Sequence, residues 1–138
     1  GFTRFASEIA ESQINNMSNK SKELEKMSEM VDQAIDLLQD EQAPIGAFGE
    51  LLDRNWGYKR SLSNRITTPE IDNIYEKAKK AGAIGGKLLG AGGGGFMLLF
   101  VPPEKQANVR EIINDLIFVP FEFDDSGSRI MLYQPSVF

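Results

Sequence analysis

The sequence GGKLLGAGGGG occupies residues 85–95, and the apolar run FMLLFV follows it at 96–101. Seven of the chain's 13 glycines fall in these eleven positions. Because glycine loses more backbone entropy on folding than other residues, the run predicts a loop rather than the interior of a helix or strand. Glycines also let the backbone approach another group closely or turn its amides toward an anion. The stretch therefore predicts a tight turn that leads into a buried strand.

Length and composition set the outer bounds. The chain has 138 residues, 41% of them hydrophobic, which predicts one domain with its own core. Its formal net charge of -5 argues against nucleic acid as a partner, although a small phosphorylated ligand needs only a local positive site. There is no cysteine and no histidine, which excludes thiol chemistry and the commonest general base. No membrane span or secretory signal is visible, so we expect a cytoplasmic protein. The opening GFTRFASEIA lacks an initiator methionine, and we expect a piece of a longer polypeptide.

Helical patterns fill the first 82 residues. Thr3 is a candidate cap for a first helix, and the asparagines and serines near 15–21 predict a break after it. A second helix is indicated by an apolar stripe that we expect to face the core: Leu24, Met27, Val31, Ala34 and Leu38. Pro44 suits the first turn of a third helix, whose inward residues would be Ile45, Phe48 and Leu52. Thr68-Pro69-Glu70 opens a fourth helix, and Gly82 is its candidate C-cap.

Strand patterns dominate the remainder. The run at 96–101 predicts a buried strand, and Pro102-Pro103 begins a helix that reaches about residue 116. Val119–Phe123 and Arg129–Tyr133 predict a hairpin around the turn sequence DDSG at 124–127. The fold class expected from this order is α+β, with helices first and then a small antiparallel sheet.

Two common phosphate-binding motifs fail on the glycine run. A P-loop would need glycine at Ala81 and a hydroxyl at Leu88. The dinucleotide pattern GxGxxG is matched by Gly90, Gly92 and Gly95, but it must open a helix, whereas here a strand follows. Two interpretations remain open: the loop contacts a ligand, or it only packs beneath another loop.

The glycine run nevertheless resembles a known signature. Residues 87–95, KLLGAGGGG, match the third motif of the GHMP kinases (galactokinase, homoserine, mevalonate and phosphomevalonate kinases), written KxxGAGxGG, at every specified position. The opening GFTRFASEIA, the stretch WGYKRSLS at 56–63 and the SGSRIMLY end resemble sugar kinases of the D-glycero-D-manno-heptose 7-phosphate kinase type. The resemblance spans nearly all of the chain, and it implies that residues 1–138 form the ferredoxin-like C-terminal domain of a two-domain kinase.

The resemblance implies an activity as well as a fold. GHMP kinases transfer the γ-phosphoryl group of ATP, with magnesium, to a hydroxyl of a small metabolite, and the heptose subgroup phosphorylates the anomeric hydroxyl of a heptose 7-phosphate. Gly90, Ala91, Gly92, Gly93, Gly94 and Gly95 would then line the active-site cleft, where they either contact phosphate or support the other phosphate loop. Fucose, galactose and mevalonate remain alternative acceptors, and a non-catalytic binding module with the same fold is a further alternative.

The other two GHMP motifs, including the loop that wraps ATP, have no counterpart in the sequence. We therefore expect no catalytic residue and no metal ligand in this chain, and no turnover by the chain alone, because phosphoryl transfer depends on positioning. The resemblance also implies a strand before residue 1. Without it a sheet edge would be exposed, so we expect a tendency to form a homodimer.

Four cations lie in a stretch without acidic residues, between Asp53 and Glu70: Arg54, Lys59, Arg60 and Arg65. Lys59 and Arg60 are the preferred candidates to contact a substrate phosphate, with Lys87 of the motif as a third. The alternative is an ordinary solvated surface near a helix C-terminus. Trp56 and Tyr58 are interpreted as core or interface residues, and Asp124 and Asp125 as turn residues rather than a catalytic pair.

Overall fold

The computed structural model describes residues 6–90, 92–124, 126–128 and 130. Its helices are α1 (Ala6–Asn16), α2 (Ser21–Gln39), α3 (Gly46–Ser61), α4 (Pro69–Ala81) and α5 (Gln106–Ile112), with short 3-10 turns at Met17–Asn19 and Pro103–Lys105. The strands are β1 (Gly85–Leu89) and β2 (Phe96–Phe100). The break expected near 15–21 is confirmed, and Thr3 lies outside the described residues. No described helix is long and apolar enough to cross a membrane.

The two strands form an antiparallel hairpin in which Gly85 faces Phe100 and Leu89 faces Phe96. The expectation that the whole run 85–95 is a loop was therefore wrong, because Gly85 and Gly86 are strand residues. The reason is close packing of α3 on β1: a Cβ built on Gly85 would lie 2.0 Å from the carbonyl oxygen of Gly49. Only glycine leaves room for this helix–strand approach.

Helix α4 has the ends that its sequence predicts. The side chain of Thr68 accepts a hydrogen bond from the amide of Ile71 at 3.3 Å, and Pro69 occupies the first turn. Gly82 ends the helix with φ +119°, a conformation that disfavours any side chain. The expected span from Pro69 to Gly82 is confirmed.

The core has two parts. The larger is built by α3, the turn after it, α4 and β1, and its buried members are Trp56, Leu62, Ile66, Tyr75 and Leu88. The smaller joins the end of α4 to α5 through Ala78, Ala81, Ala83 and Val109. Trp56 is fully buried, which confirms its interpretation as a core residue.

Helix α2 confirms the expected stripe in part. Leu24 and Met27 pack against the larger core, whereas Val31 is 59% and Leu38 is 66% exposed. Met30, which was not included in the stripe, is buried. The inward face of α2 is therefore the expected one near its start, shifted toward Met30 by its contact with α3.

Ile45, expected to face inward, is 69% exposed because α3 begins one residue later.

The segment after α5 also differs from expectation. The helix that was expected to reach 116 ends at Ile112, and residues 117–124, all described, contain no strand. The first strand of the expected hairpin is thus wrong; Pro120 removes one backbone donor there. The second, Arg129–Tyr133, lies outside the described residues except for Ile130. The amide of Ser126 does bond to Asp124 Oδ1, as expected of a turn, and Asp125 is not described.

Candidate functional site

Residues 90–95 form the loop of the β1–β2 hairpin, which we call the glycine loop. Gly90, Gly92, Gly93 and Gly95 have φ values of +93°, +121°, +69° and +119°. These values lie in the left-handed region that side chains rarely adopt, so the loop conformation requires glycine at four positions. Ala91 lies outside the described residues. Because the loop joins strand to strand, it is not the strand-to-helix turn of a dinucleotide site.

One side of the glycine loop rests on the connection between α3 and α4. The amide of Gly93 donates to the carbonyl of Ile66 at 2.8 Å, and a Cβ on Gly92 would lie 2.7 Å from Ile66 Cα. Ile66 is fully buried, and Ser63 beside it accepts a hydrogen bond from the amide of Arg65. This support was not predicted, since no sequence pattern marks Ile66 as a neighbour of the loop.

The other side of the glycine loop is open. A Cβ added at Gly90 or at Gly94 would meet no atom of the described residues within 4 Å. Of these two, Gly94 has no positive φ, so a side chain would fit there without backbone strain. The loop therefore combines a backbone-packed side with a side that leaves space for a ligand.

Lys59 of α3 reaches the glycine loop. Its Nζ donates to the carbonyl oxygens of Gly90, at 2.9 Å, and Leu88, at 3.3 Å. Burial and the nearby charge of Lys87 lower the pKa of Lys59 below its ordinary value. Lys87 itself lies on β1 opposite Leu98 and is half-buried. Two of the three predicted cations thus lie near the loop.

Arg60 is held elsewhere. Its Nη1 donates to Asp72 Oδ1 at 3.1 Å, and its guanidinium lies 5.7 Å from the centre of the Trp56 ring and 5.9 Å from that of Tyr75. Asp72 also accepts from Thr67 Oγ1 at 2.8 Å. These contacts join α3 to the start of α4, and a guanidinium with five N–H groups keeps donors for a further acceptor.

A second polar cluster, which the sequence analysis missed, holds the start of β1. Asp53 accepts from the Tyr75 hydroxyl at 2.6 Å and from Lys79 Nζ at 2.9 Å, and Lys79 also donates to the Ile84 carbonyl. Burial acts to raise the pKa of Asp53, but the bonds from Tyr75 and Lys79 outweigh it and the pKa is lowered. Burial and the bond to Asp53 raise the pKa of Tyr75. Asp53 lies on α3, 22 positions before Tyr75 and 26 before Lys79 on α4, and no local pattern links them.

The chemistry of the glycine loop fits an anion better than a metal. Backbone amides and neighbouring ammonium groups are the kinds of group that bind phosphate oxygens. Within the described residues, no group of three or more carboxylates could hold a metal ion.

Comparison with known proteins identifies the family. The family model "GHMP kinases C terminal" matches residues 41–117, more than half of the chain. The D-glycero-alpha-D-manno-heptose 7-phosphate kinase of Campylobacter jejuni is 34% identical over 108 residues, covering 78% of this chain and 32% of that protein. The mevalonate kinase of Pyrococcus horikoshii is 38% identical over 82 residues, 57% of this chain and 24% of that protein.

A solved structure supports the fold. The crystal structure of L. major mevalonate kinase in complex with R-mevalonate superposes with a TM-score of 0.69 at 18% identity, covering 83% of this chain and 36% of that one. The chain belongs to the GHMP kinases, and its α+β fold is that of their C-terminal domain. The chain spans about a third or less of the length of these relatives, all of which are named as kinases.

Proposed function

We propose that residues 1–138 form the C-terminal domain of an ATP-dependent small-molecule kinase and that the glycine loop borders its phosphoryl-transfer site. One observation carries the proposal: the loop is fixed on one side by Ile66, open on the other at Gly90 and Gly94, and flanked by Lys59 and Lys87. This arrangement leaves space and positive charge for the phosphates of ATP. Magnesium and the remaining nucleotide contacts would come from a preceding domain, in a cytoplasmic enzyme.

For the acceptor we propose a heptose 7-phosphate, phosphorylated at its anomeric hydroxyl. The similarity to the Campylobacter jejuni enzyme supports this choice, as does the cationic stretch between Asp53 and Glu70. Lys59, Arg60 and Lys87 are the proposed contacts for the substrate phosphate, because a sugar phosphate needs a cationic receptor.

Mevalonate is the second candidate acceptor. The Pyrococcus horikoshii mevalonate kinase has the higher identity over its shorter match, which favours this acceptor. Fucose is a further alternative, since the Bacteroides fragilis L-fucokinase/L-fucose-1-P guanylyltransferase is 27% identical over 139 residues. Galactose and a non-catalytic binding module remain the other options.

The open side of the glycine loop provides the test. Gly94→Ala adds a methyl group that contacts none of the residues the structure describes, so folding should be unchanged while nucleotide affinity falls about tenfold or more. Gly57→Ala, on an exposed part of α3, is the matched control. The measurement is coupled ATP turnover by the full-length polypeptide that contains this chain, with heptose 7-phosphate, mevalonate, fucose and galactose compared as acceptors. Equal KM values for ATP in both variants would overturn the loop assignment, and no turnover with any acceptor would favour the binding module.

A further inference from the structure

Lys59 and Lys79 both donate to backbone carbonyls, at opposite ends of β1. Lys79 donates to the carbonyl of Ile84, immediately before the strand, and Lys59 donates to those of Leu88 and Gly90, at its end. One lysine comes from α4 and the other from α3. Together they attach both ends of β1 to the helices that pack against it.

The two lysines differ in charge compensation. Lys79 is paired with Asp53 at 2.9 Å. Lys59 has no carboxylate within ion-pair distance among the described residues. The neighbouring charge that lowers its pKa is another cation, Lys87. A half-buried ammonium beside a second cation is unfavourable unless an anion is present. A purely structural clamp would be better served by the paired arrangement that Lys79 has.

Lys59 also has a donor to spare. An ammonium group carries three N–H donors, and two of them bond the carbonyls of Leu88 and Gly90. The bond to Gly90 lies at the protein surface, next to a glycine whose Cβ position is open space. An incoming anion at the glycine loop would therefore meet the same ammonium that holds the loop in place.

We propose that Lys59 is a positioning residue of the phosphate site, which holds the glycine loop in its binding conformation through two carbonyl bonds and is neutralised when a phosphate anion arrives. The proposal deepens the proposed function and rests on it for the identity of the anion. It reassigns Lys59, proposed above as a contact for the substrate phosphate, to the phosphate at the glycine loop, and it leaves Arg60, bound to Asp72, as the candidate for the substrate's own phosphate.

The test uses the 138-residue chain labelled with 15N-glycine, and three variants: Lys59→Met, Lys59→Arg and the exposed control Lys77→Met. Hydrogen exchange of the Gly93 amide reports loop order without any ligand, because that amide bonds to Ile66. We expect exchange about fivefold to tenfold faster in Lys59→Met, with partial recovery in Lys59→Arg and no change in Lys77→Met. Unchanged Gly93 exchange in Lys59→Met overturns the positioning role.

Tripolyphosphate titration tests the anion separately. We expect Lys59→Met to bind it about tenfold more weakly, and Lys87→Met to bind it more weakly without faster Gly93 exchange. The unsubstituted chain avoids any folding defect, and in it saturating tripolyphosphate should raise the pKa of Lys59, which is followed through its 13Cε resonance. A constant Lys59 pKa under saturation overturns the neutralisation. If no variant binds tripolyphosphate but Lys59→Met loosens Gly93, the proposed function fails and the loop-holding role is supported.

Discussion

At the scale of single residues, the contact between Gly85 and Gly49 leaves no room for a side chain. A side chain on Gly85 would overlap the Gly49 carbonyl, and both partners are backbone atoms that cannot move independently. We predict that Gly85→Ala destabilises the chain by about 3 kcal/mol or more, measured by urea unfolding. Gly57→Ala, in open space on α3, should instead stabilise it by about 0.5–1 kcal/mol. Similar unfolding free energies for the two variants would contradict the packing of α3 on β1.

The Asp53–Tyr75 pair predicts how stability varies with pH. The pKa of Asp53 is lowered in the fold, so its contribution is present above the ordinary value of 3.8 and is lost as the pH falls through the folded value. The pKa of Tyr75 is raised, so its contribution is complete below 10.0 and is lost as the pH rises beyond that. The Asp53 side chain is 40% exposed, and solvent screening keeps its effect small.

Two variants isolate these contributions. The difference in unfolding free energy between the unsubstituted chain and Asp53→Asn should shrink below pH 4, and that for Tyr75→Phe should shrink above pH 10. Tyr58→Phe, on α3 like Asp53, serves as the control for the loss of a tyrosine hydroxyl. Differences that stay constant with pH would exclude the pair as a source of pH dependence.

At this scale, the sequence predicted residues whose signal is local. Glycines with positive φ are recognisable because few other residues tolerate that conformation, and the burial of Trp56 follows from its size. The engagement of Lys59 with the carbonyl of Gly90 was not predictable, since the two are 31 positions apart. Ile66 was missed because it binds the loop through its backbone carbonyl, which any residue carries.

At the scale of elements, α4 is specified at both ends by its own residues. The Thr68 side chain is the acceptor that caps its first turn, so Thr68→Ala should lower the free energy of unfolding by about 1 kcal/mol. Thr68→Ser keeps the hydroxyl and should change little. Urea unfolding of the two variants is the measurement, and equal losses would mean that the cap contributes nothing.

Elements without such local signals were predicted less well. The stripe on α2 was predicted correctly at Leu24 and Met27 but not at Val31 and Leu38, because helical spacing alone does not tell which residues contact α3. Strand β1 was missed because its first two residues are glycines, which propensity assigns to loops, and tertiary packing overrides that propensity. The strand expected at Val119–Phe123 failed because a strand is stable only when a partner accepts its backbone bonds.

At the scale of the whole molecule, apolar residues are exposed along the segment that follows α5. Ile117 is 92% and Phe123 is 97% exposed, with Phe121 beside them. Several exposed apolar side chains in one short segment favour association. We predict that the isolated chain forms concentration-dependent oligomers in light scattering and that Phe123→Ser weakens them. Leu38→Ser, at an exposed apolar residue of α2, should have little effect on the oligomers. A chain that stays monomeric at all concentrations would contradict the prediction.

The isolated chain should also lack turnover. The described residues offer a loop suited to phosphate but no carboxylate cluster for a metal, and phosphoryl transfer requires both charge stabilisation and positioning. ATP hydrolysis or transfer in the presence of heptose 7-phosphate should stay at the background rate. Robust activity of the 138-residue chain would refute this and would require catalytic groups outside the described residues.

The bond between the Gly93 amide and the Ile66 carbonyl has a mechanical consequence. It joins two backbones directly, with no side chain between them to absorb a displacement. The connection that leads into α4 and the hairpin tip are thus coupled through the main chain. If the acceptor proposed above binds Arg60 and displaces the start of α4, this bond would transmit part of the displacement to the hairpin tip.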